Sequence, residues 1–117
     1  MVTYSVGNSK FGSFQAARTV ARMRNAADRK EPVEIRKNGD AGFDLIEIWV
    51  GEVTFIVAGS GMLAYSKADL DSIGAVETAG GEFKAASRGT RVGVFETLFD
   101  AAEALHAFAQ SPEYRAG

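Results

Sequence analysis

Phe43-Asp44-Leu45-Ile46-Glu47-Ile48-Trp49-Val50 and Val53-Thr54-Phe55-Ile56-Val57-Ala58 are separated by only Gly51-Glu52. Two runs rich in β-formers on either side of a Gly-X pair predict a tight hairpin with a type II′ turn. That turn sets 50 opposite 53, 48 opposite 55 and 46 opposite 57. Side chains alternate along a strand, so the faces follow. Ile46, Ile48, Val50, Val53, Phe55 and Val57 share one face and are the expected core. Phe43, Leu45, Glu47, Trp49, Thr54, Ile56 and Ala58 share the other. A two-stranded ribbon ordinarily shows water a polar face. Here both faces are apolar, so something must cover the second.

The rest of the chain reads outward from this hairpin. Residues 3–6 form a short strand, and residues 7–12 form a loop. Ser13 then caps a helix running to about residue 29, with Phe14, Ala17, Val20 and Ala21 on one side and Ala16, Met23 and Ala27 widening it. Pro32 ends that region, residues 33–37 alternate as a strand, and Asn38-Gly39-Asp40-Ala41-Gly42 turns into the central hairpin. Gly59-Ser60-Gly61 leads to a further strand at 62–65. Ser66 with Asp69 has the pattern of a capping box, predicting a short helix to about residue 73. Gly74 and Gly80-Gly81 read as a loop. Arg88-Gly89 joins a second hairpin of strands 83–87 and 90–96. Thr97 with Asp100 opens a last helix to about residue 110, whose stripe is Leu98, Ala101, Ala102, Leu105, Phe108 and Ala109. Pro112 and the tail follow. The expected fold is α+β: strand, helix, β-meander, short helix, hairpin, helix, with a mostly antiparallel sheet and both longer helices on the Ile46/Ile48 face. Residues 1–117 are read as a single domain. Phe11-Gly12-Ser13-Phe14 and Phe95-Glu96-Thr97-Leu98 resemble each other, and shared capping chemistry or an internal repeat explains that equally well.

Composition removes whole classes of chemistry. The chain has no cysteine, which excludes disulfide scaffolds, thiolate nucleophiles and Cys-ligated metal. No apolar run approaches the ~18 residues a membrane span needs. The N-terminal residues lack the pattern of a secretory signal, so the expected compartment is the cytoplasm. The net charge of −2 hides a split. Through residue 39 there are eight bases and three acids, whereas five bases and twelve acids follow.

Catalytic motifs are lacking. Gly59-Ser60-Gly61 lacks the third glycine and the following helix of a dinucleotide loop. His106 is the only histidine and lies on the shoulder of the last helical stripe. No cofactor is implied. With Ile35 opposite Ile46, Glu34 falls opposite Glu47, with Arg36 diagonal to it. Paired carboxylates among apolar neighbours acquire raised pKa values or hold a hard cation. Glu34, Arg36 and Glu47 are therefore ligand-site candidates. Arg18, Arg22 and Arg29 fall within about 40° on the first helix, a basic rail about 16 Å long suited to anions. The overall acidity argues against nucleic acid as the partner.

The stretch from Arg91-Val92-Gly93-Val94-Phe95 through Glu103-Ala104 resembles the strand-turn-helix ending of several small β-sheet-plus-helix DNA-binding domains, such as the AP2-like ones. The likeness spans about fourteen residues and rests on capping and alternation. The base-reading arginines and tryptophans of those domains have no matching cluster in the strands here, so no function is carried over.

The expected function is that of a small non-catalytic protein that binds another macromolecule, such as an inhibitor, an immunity-type partner or an accessory subunit. Phe43, Leu45, Trp49 and Ile56 are its interface candidates, with a second copy of the chain on the other side. The alternatives are a small-molecule-binding domain or minor enzyme using Glu34 and Glu47, and a nucleic-acid binder using the arginine rail. No membrane partner is expected.

Overall fold

Hairpin after hairpin builds one sheet. The computed structural model describes residues 2–39, 42–68 and 70–111, apart from the side chain of Phe43. These residues form β1 (Thr3–Val6), β2 (Ser9–Phe11), α1 (Phe14–Ala27), β3 (Val33–Gly39), β4 (Gly42–Val50) and β5 (Val53–Ala58). Then come β6 (Gly61–Ser66), β7 (Ser72–Ala79), β8 (Glu82–Ser87), β9 (Thr90–Phe95) and α2 (Leu98–Ala109). The sheet order is β2-β1-β3-β4-β5-β6-β7-β8-β9, every pair antiparallel. The described residues thus form one antiparallel nine-stranded sheet with two helices, mostly sheet and broadly α+β.

The central turn forms as expected. Val50 pairs with Val53 and Ile48 with Phe55, and Gly51 has φ +58 while Glu52 stays at negative φ. That combination is the type II′ signature.

The expected short helix from Ser66 is a strand end instead. Ser66 closes β6, its N–H donates to Asp71 O (2.8 Å), and Leu70 N–H returns to Ser66 O (2.7 Å). Leu70 sits at φ +59, which no right-handed helix tolerates. Asp69, the other half of the capping pattern, lies outside the described residues, as do Asp40, Ala41 and Pro112. Residues 72–79, expected as helix end and loop, are the full strand β7, and Ser9–Phe11 is a strand rather than a loop.

The helices also lie on opposite faces, not together. α1 packs over β1 to β4, and α2 packs over β4 to β9. Chirality explains this. Each helix follows an edge strand and folds back over its own hairpin: β1-β2-α1 at one edge, β8-β9-α2 at the other. Eight antiparallel steps separate β2 from β9, so both edge strands run the same way. A unit of one hand, built on strands with one twist, must then put its helix on opposite faces at opposite edges.

The two units match in detail. Tyr4 pairs with Phe11 and Phe83 with Phe95, and the next turn ends in a hydroxyl cap. Ser13 Oγ accepts from Ala16 N–H at 3.2 Å, and Thr97 Oγ1 from Asp100 N–H at 3.1 Å. One turn on, Ala17 and Ala101 are both fully buried. Ser13→Ala and Thr97→Ala should each lower stability by about 1 kcal/mol in urea denaturation, and Gly at either position by only a few tenths.

A bulge in β4 divides its side chains between two cores. Arg36 pairs with Leu45, but the next pair is Ile35 with Glu47, so Ile46 is an extra residue. Alternation resets there. Leu45 joins Ile48, Val50 and Phe55 in the α2 core, and Ile46 joins Trp49, Ile35 and Val6 in the α1 core. The expected faces of Leu45 and Ile46 are thus exchanged. Glu34 lies opposite Ile48, not Glu47, because the added residue moves the register by one. From Glu47 to Val50 the strand is buried continuously, as a strand covered on both faces should be.

Candidate interaction surface

Trp49 is covered from within the chain, not by a second molecule. It is 1% exposed beneath α1, where its Nε1–H donates to Glu47 Oε1 at 2.6 Å. Glu47 is equally buried, and the guanidinium of Arg18 closes on it as a fork: Nη2 to Oε2 at 2.8 Å, Nε to Oε1 and Oε2 at 3.1 and 3.2 Å. Arg18 also stacks over Phe14, its Cζ 4.4 Å from the ring centre. Arg22 covers Trp49 at 5.4 Å. A carboxylate among Trp49, Ile35 and Ala21 demands a cation, and α1 brings it.

The three arginines of the rail therefore have separate surroundings. Arg18 is bound to Glu47, whereas Arg29 lies beyond the extended C-cap Asp28, off the helix, and is bound to Glu52 (3.2 Å) and Glu103 (3.0 Å), tying the segment after α1 to α2. Arg22 lies on the indole of Trp49 at the border of the helix. An anion at Arg18 or Arg29 would have to displace a carboxylate.

The proposed carboxylate pair does not meet. Glu34 is half-exposed on the α2 face, where Arg36 Nη2 reaches its Oε1 at 2.7 Å, and Glu47 is on the α1 face. The bulge is what separates them. Among the described residues, no group of three or more His, Asp or Glu could hold a metal ion. His106 is half-buried in the last turn of α2. No helix among those residues is long and apolar enough to cross a membrane.

Of the other interface candidates, Leu45 packs half-buried against the α2 core. The side chain of Phe43 lies outside the described ones. Ile56 alone is left on the α1 face beyond the helix. It begins a row absent from the sequence reading: Ile56, Leu63, Ala75, Ala86 and Arg91, cross-strand neighbours on β5 to β9. Leu63 is 43% exposed. The adjoining row is Ala58, Gly61, Glu77, Lys84 and Val94, the last 42% exposed. Between the rows lies a depression of about 500 Å³ floored by Gly61, Ala75 and Ala86 and rimmed by Glu77, Lys84 and Arg91. Reading residues 72–79 as helix and loop hid this surface, since its middle strand was missing.

The other uncovered half-sheet has the opposite character. On the α2 face of β1 and β3 stand Thr3, Ser5, Glu34, Arg36 and Asn38. Asn38 Nδ2 donates to Ser5 Oγ (2.6 Å) and Thr3 Oγ1 (3.2 Å), beside the Glu34–Arg36 pair. That half carries the polar groups a water-facing sheet needs. A second, apolar trough of about 440 Å³ lies on the α2 face at the N-terminal end of α2, lined by Leu45, Ile48, Val57, Met62, Phe83 and Leu98 with Glu34 at its rim.

Comparison with protein-family models, curated proteins and solved structures finds no match to this chain.

Proposed function

We propose that the protein is a non-catalytic accessory or regulatory protein that works by contact with another protein chain, through the open half of the α1 face. One observation carries this reading. The chain uses the same hairpin-plus-helix unit at both edges, yet the back of one is a hydrogen-bonded polar ladder, whereas the back of the other carries an exposed apolar row, Leu63, Ala75 and Ala86, bordered by Glu77, Lys84 and Arg91. Folding alone does not require Ile56, Leu63, Ala75 and Val94 to be apolar, because neither helix covers them. A contiguous exposed apolar patch on a small domain marks an interaction site.

Leu63→Asp is the test. It should change unfolding stability by no more than about 0.5 kcal/mol, as exposed substitutions do. It should also abolish retention of any protein that the wild type holds specifically in affinity capture. A loss of stability well above that range would make Leu63 a packing residue, and undiminished capture would put the contact elsewhere; either result sinks the reading.

The trough beside Leu98 supports a second reading, a small apolar ligand bound on the α2 face. Its volume and mostly apolar lining with a few polar groups are those of small-molecule pockets. Calorimetric titration with apolar probes, compared between wild type and Val57→Asp, would test it.

A further inference from the structure

Resting on the contact surface proposed above, we infer that its occupant is a second copy of this chain, packed sheet to sheet about a two-fold axis parallel to the strands and passing between β7 and β8. The arrangement of charges points to that axis. Glu77 and Lys84 are cross-strand neighbours, both exposed, on adjacent strands of the open face. A two-fold axis between β7 and β8 lays β7 of one copy over β8 of the other and keeps each row at its own level. Glu77 of each copy then faces Lys84 of the other, giving two reciprocal ion pairs. Ala75 faces Ala86 in the same way, and these small side chains let the backbones come close. Leu63 lies over the aliphatic stem of Arg91. An isologous contact requires this self-complementarity, with each residue meeting its counterpart's partner.

The walls of the site agree with the size of that occupant. α1 stands up from the same face over β1 to β4 and leaves five strands uncovered, about 24 Å at 4.8 Å per strand. A packed helix and a packed sheet both rise about 10 Å above a sheet. A second open half therefore fits beside α1, with the partner's own α1 flanking the opposite side. An axis running along β7 itself would set Glu77 against Glu77, so the charges select one arrangement. Nucleic acid would find Glu77 and an apolar floor in its path, and Trp49, the strongest stacking side chain, is buried.

Charge reversal tests the axis directly by sedimentation equilibrium up to millimolar concentration, with unfolding curves confirming that each variant is folded. Wild type should dimerise. Glu77→Lys alone and Lys84→Glu alone should each weaken the dimer at least tenfold, because each creates two like-charge contacts. The mixture of the two single variants should dimerise again, since in the mixed pair each position 77 faces the opposite charge at position 84 across the axis. The doubly exchanged chain should do the same. A monomeric wild type over the whole range would overturn this inference but leave the contact reading standing on Leu63→Asp. A dimer indifferent to both reversals, or a mixture that stays monomeric, would also overturn it. So would wild-type binding to duplex DNA that either reversal alters.

Discussion

Arg18→Met should destabilise the protein by about 3–5 kcal/mol, Glu47→Leu by distinctly less, and the two together by less than Arg18→Met alone. The asymmetry follows from where the partners lie. The Glu47 side chain is 2% exposed and that of Arg18 32%. Removing the arginine strands a carboxylate under α1 with only the Trp49 N–H as donor, and an uncompensated buried charge is the costliest outcome. Removing the glutamate frees Arg18 to turn towards water. What remains is one unpaired indole N–H, worth about 1–3 kcal/mol. With both replaced no charge is buried, and Met and Leu refill much of the volume, so the coupling should be large and favourable. Urea denaturation of the four proteins measures it. Equal and additive single effects would mean that the ion pair is screened by water and that α1 is held on the sheet by its other contacts, the apolar packing of Phe14, Ala17, Val20 and Ala21 among them.

That pair also shows where the sequence is readable. Glu47 stood out as a carboxylate among apolar residues, and Arg18 as part of a helical charge stripe. Nothing local linked them, because they are 29 residues apart and the link depends on which face α1 covers. The face in turn depends on the hand of a unit that ends in an edge strand, and strand order is a non-local property. Local chemistry read more faithfully. The Gly51-Glu52 turn, the Ser13 and Thr97 caps and the buried stripe Leu98, Ala101, Ala102, Leu105 all rest on neighbours within four residues. The bulge at Ile46 escaped for a different reason. Leu45, Ile46 and Ile48 are apolar in both parities, so the hydrophobic pattern accepts a regular strand and a bulged one alike. Residues 66–73 misled because a Ser-x-x-Asp pattern has the chemistry of a cap wherever it falls. Here the backbone amide of Ser66 is taken by the sheet-side turn.

Gly74→Ala should be among the most damaging single substitutions in the chain. Reading residues 72–79 as a loop made Gly74 a turn glycine. It is in fact a strand glycine, paired with Ala64 beside the irregularity in the β6–β7 register. Its φ is +156, and a Cβ there would lie 2.5 Å from the carbonyl oxygen of Ala86 on β8 and 2.9 Å from Leu105 Cδ2 on α2. Neither neighbour can yield cheaply. The carbonyl belongs to the strand backbone, and Leu105 is fully buried in the α2 core. The added methyl must therefore push β7 from β8 or lift α2. Overpacking of this kind costs about 1–3 kcal/mol even where only side chains move, and here backbone must move too. Loss of about 3 kcal/mol or more is expected, with the β8-β9-α2 unit losing amide-exchange protection first. Gly59→Ala is the control. It also has positive φ, +61, but an added Cβ meets no heavy atom within 4 Å. Its penalty should be that of left-handed backbone alone, about 1–2 kcal/mol. Close approach and not φ distinguishes the two sites, so equal losses would mean that β7 does not pack against Leu105 as described.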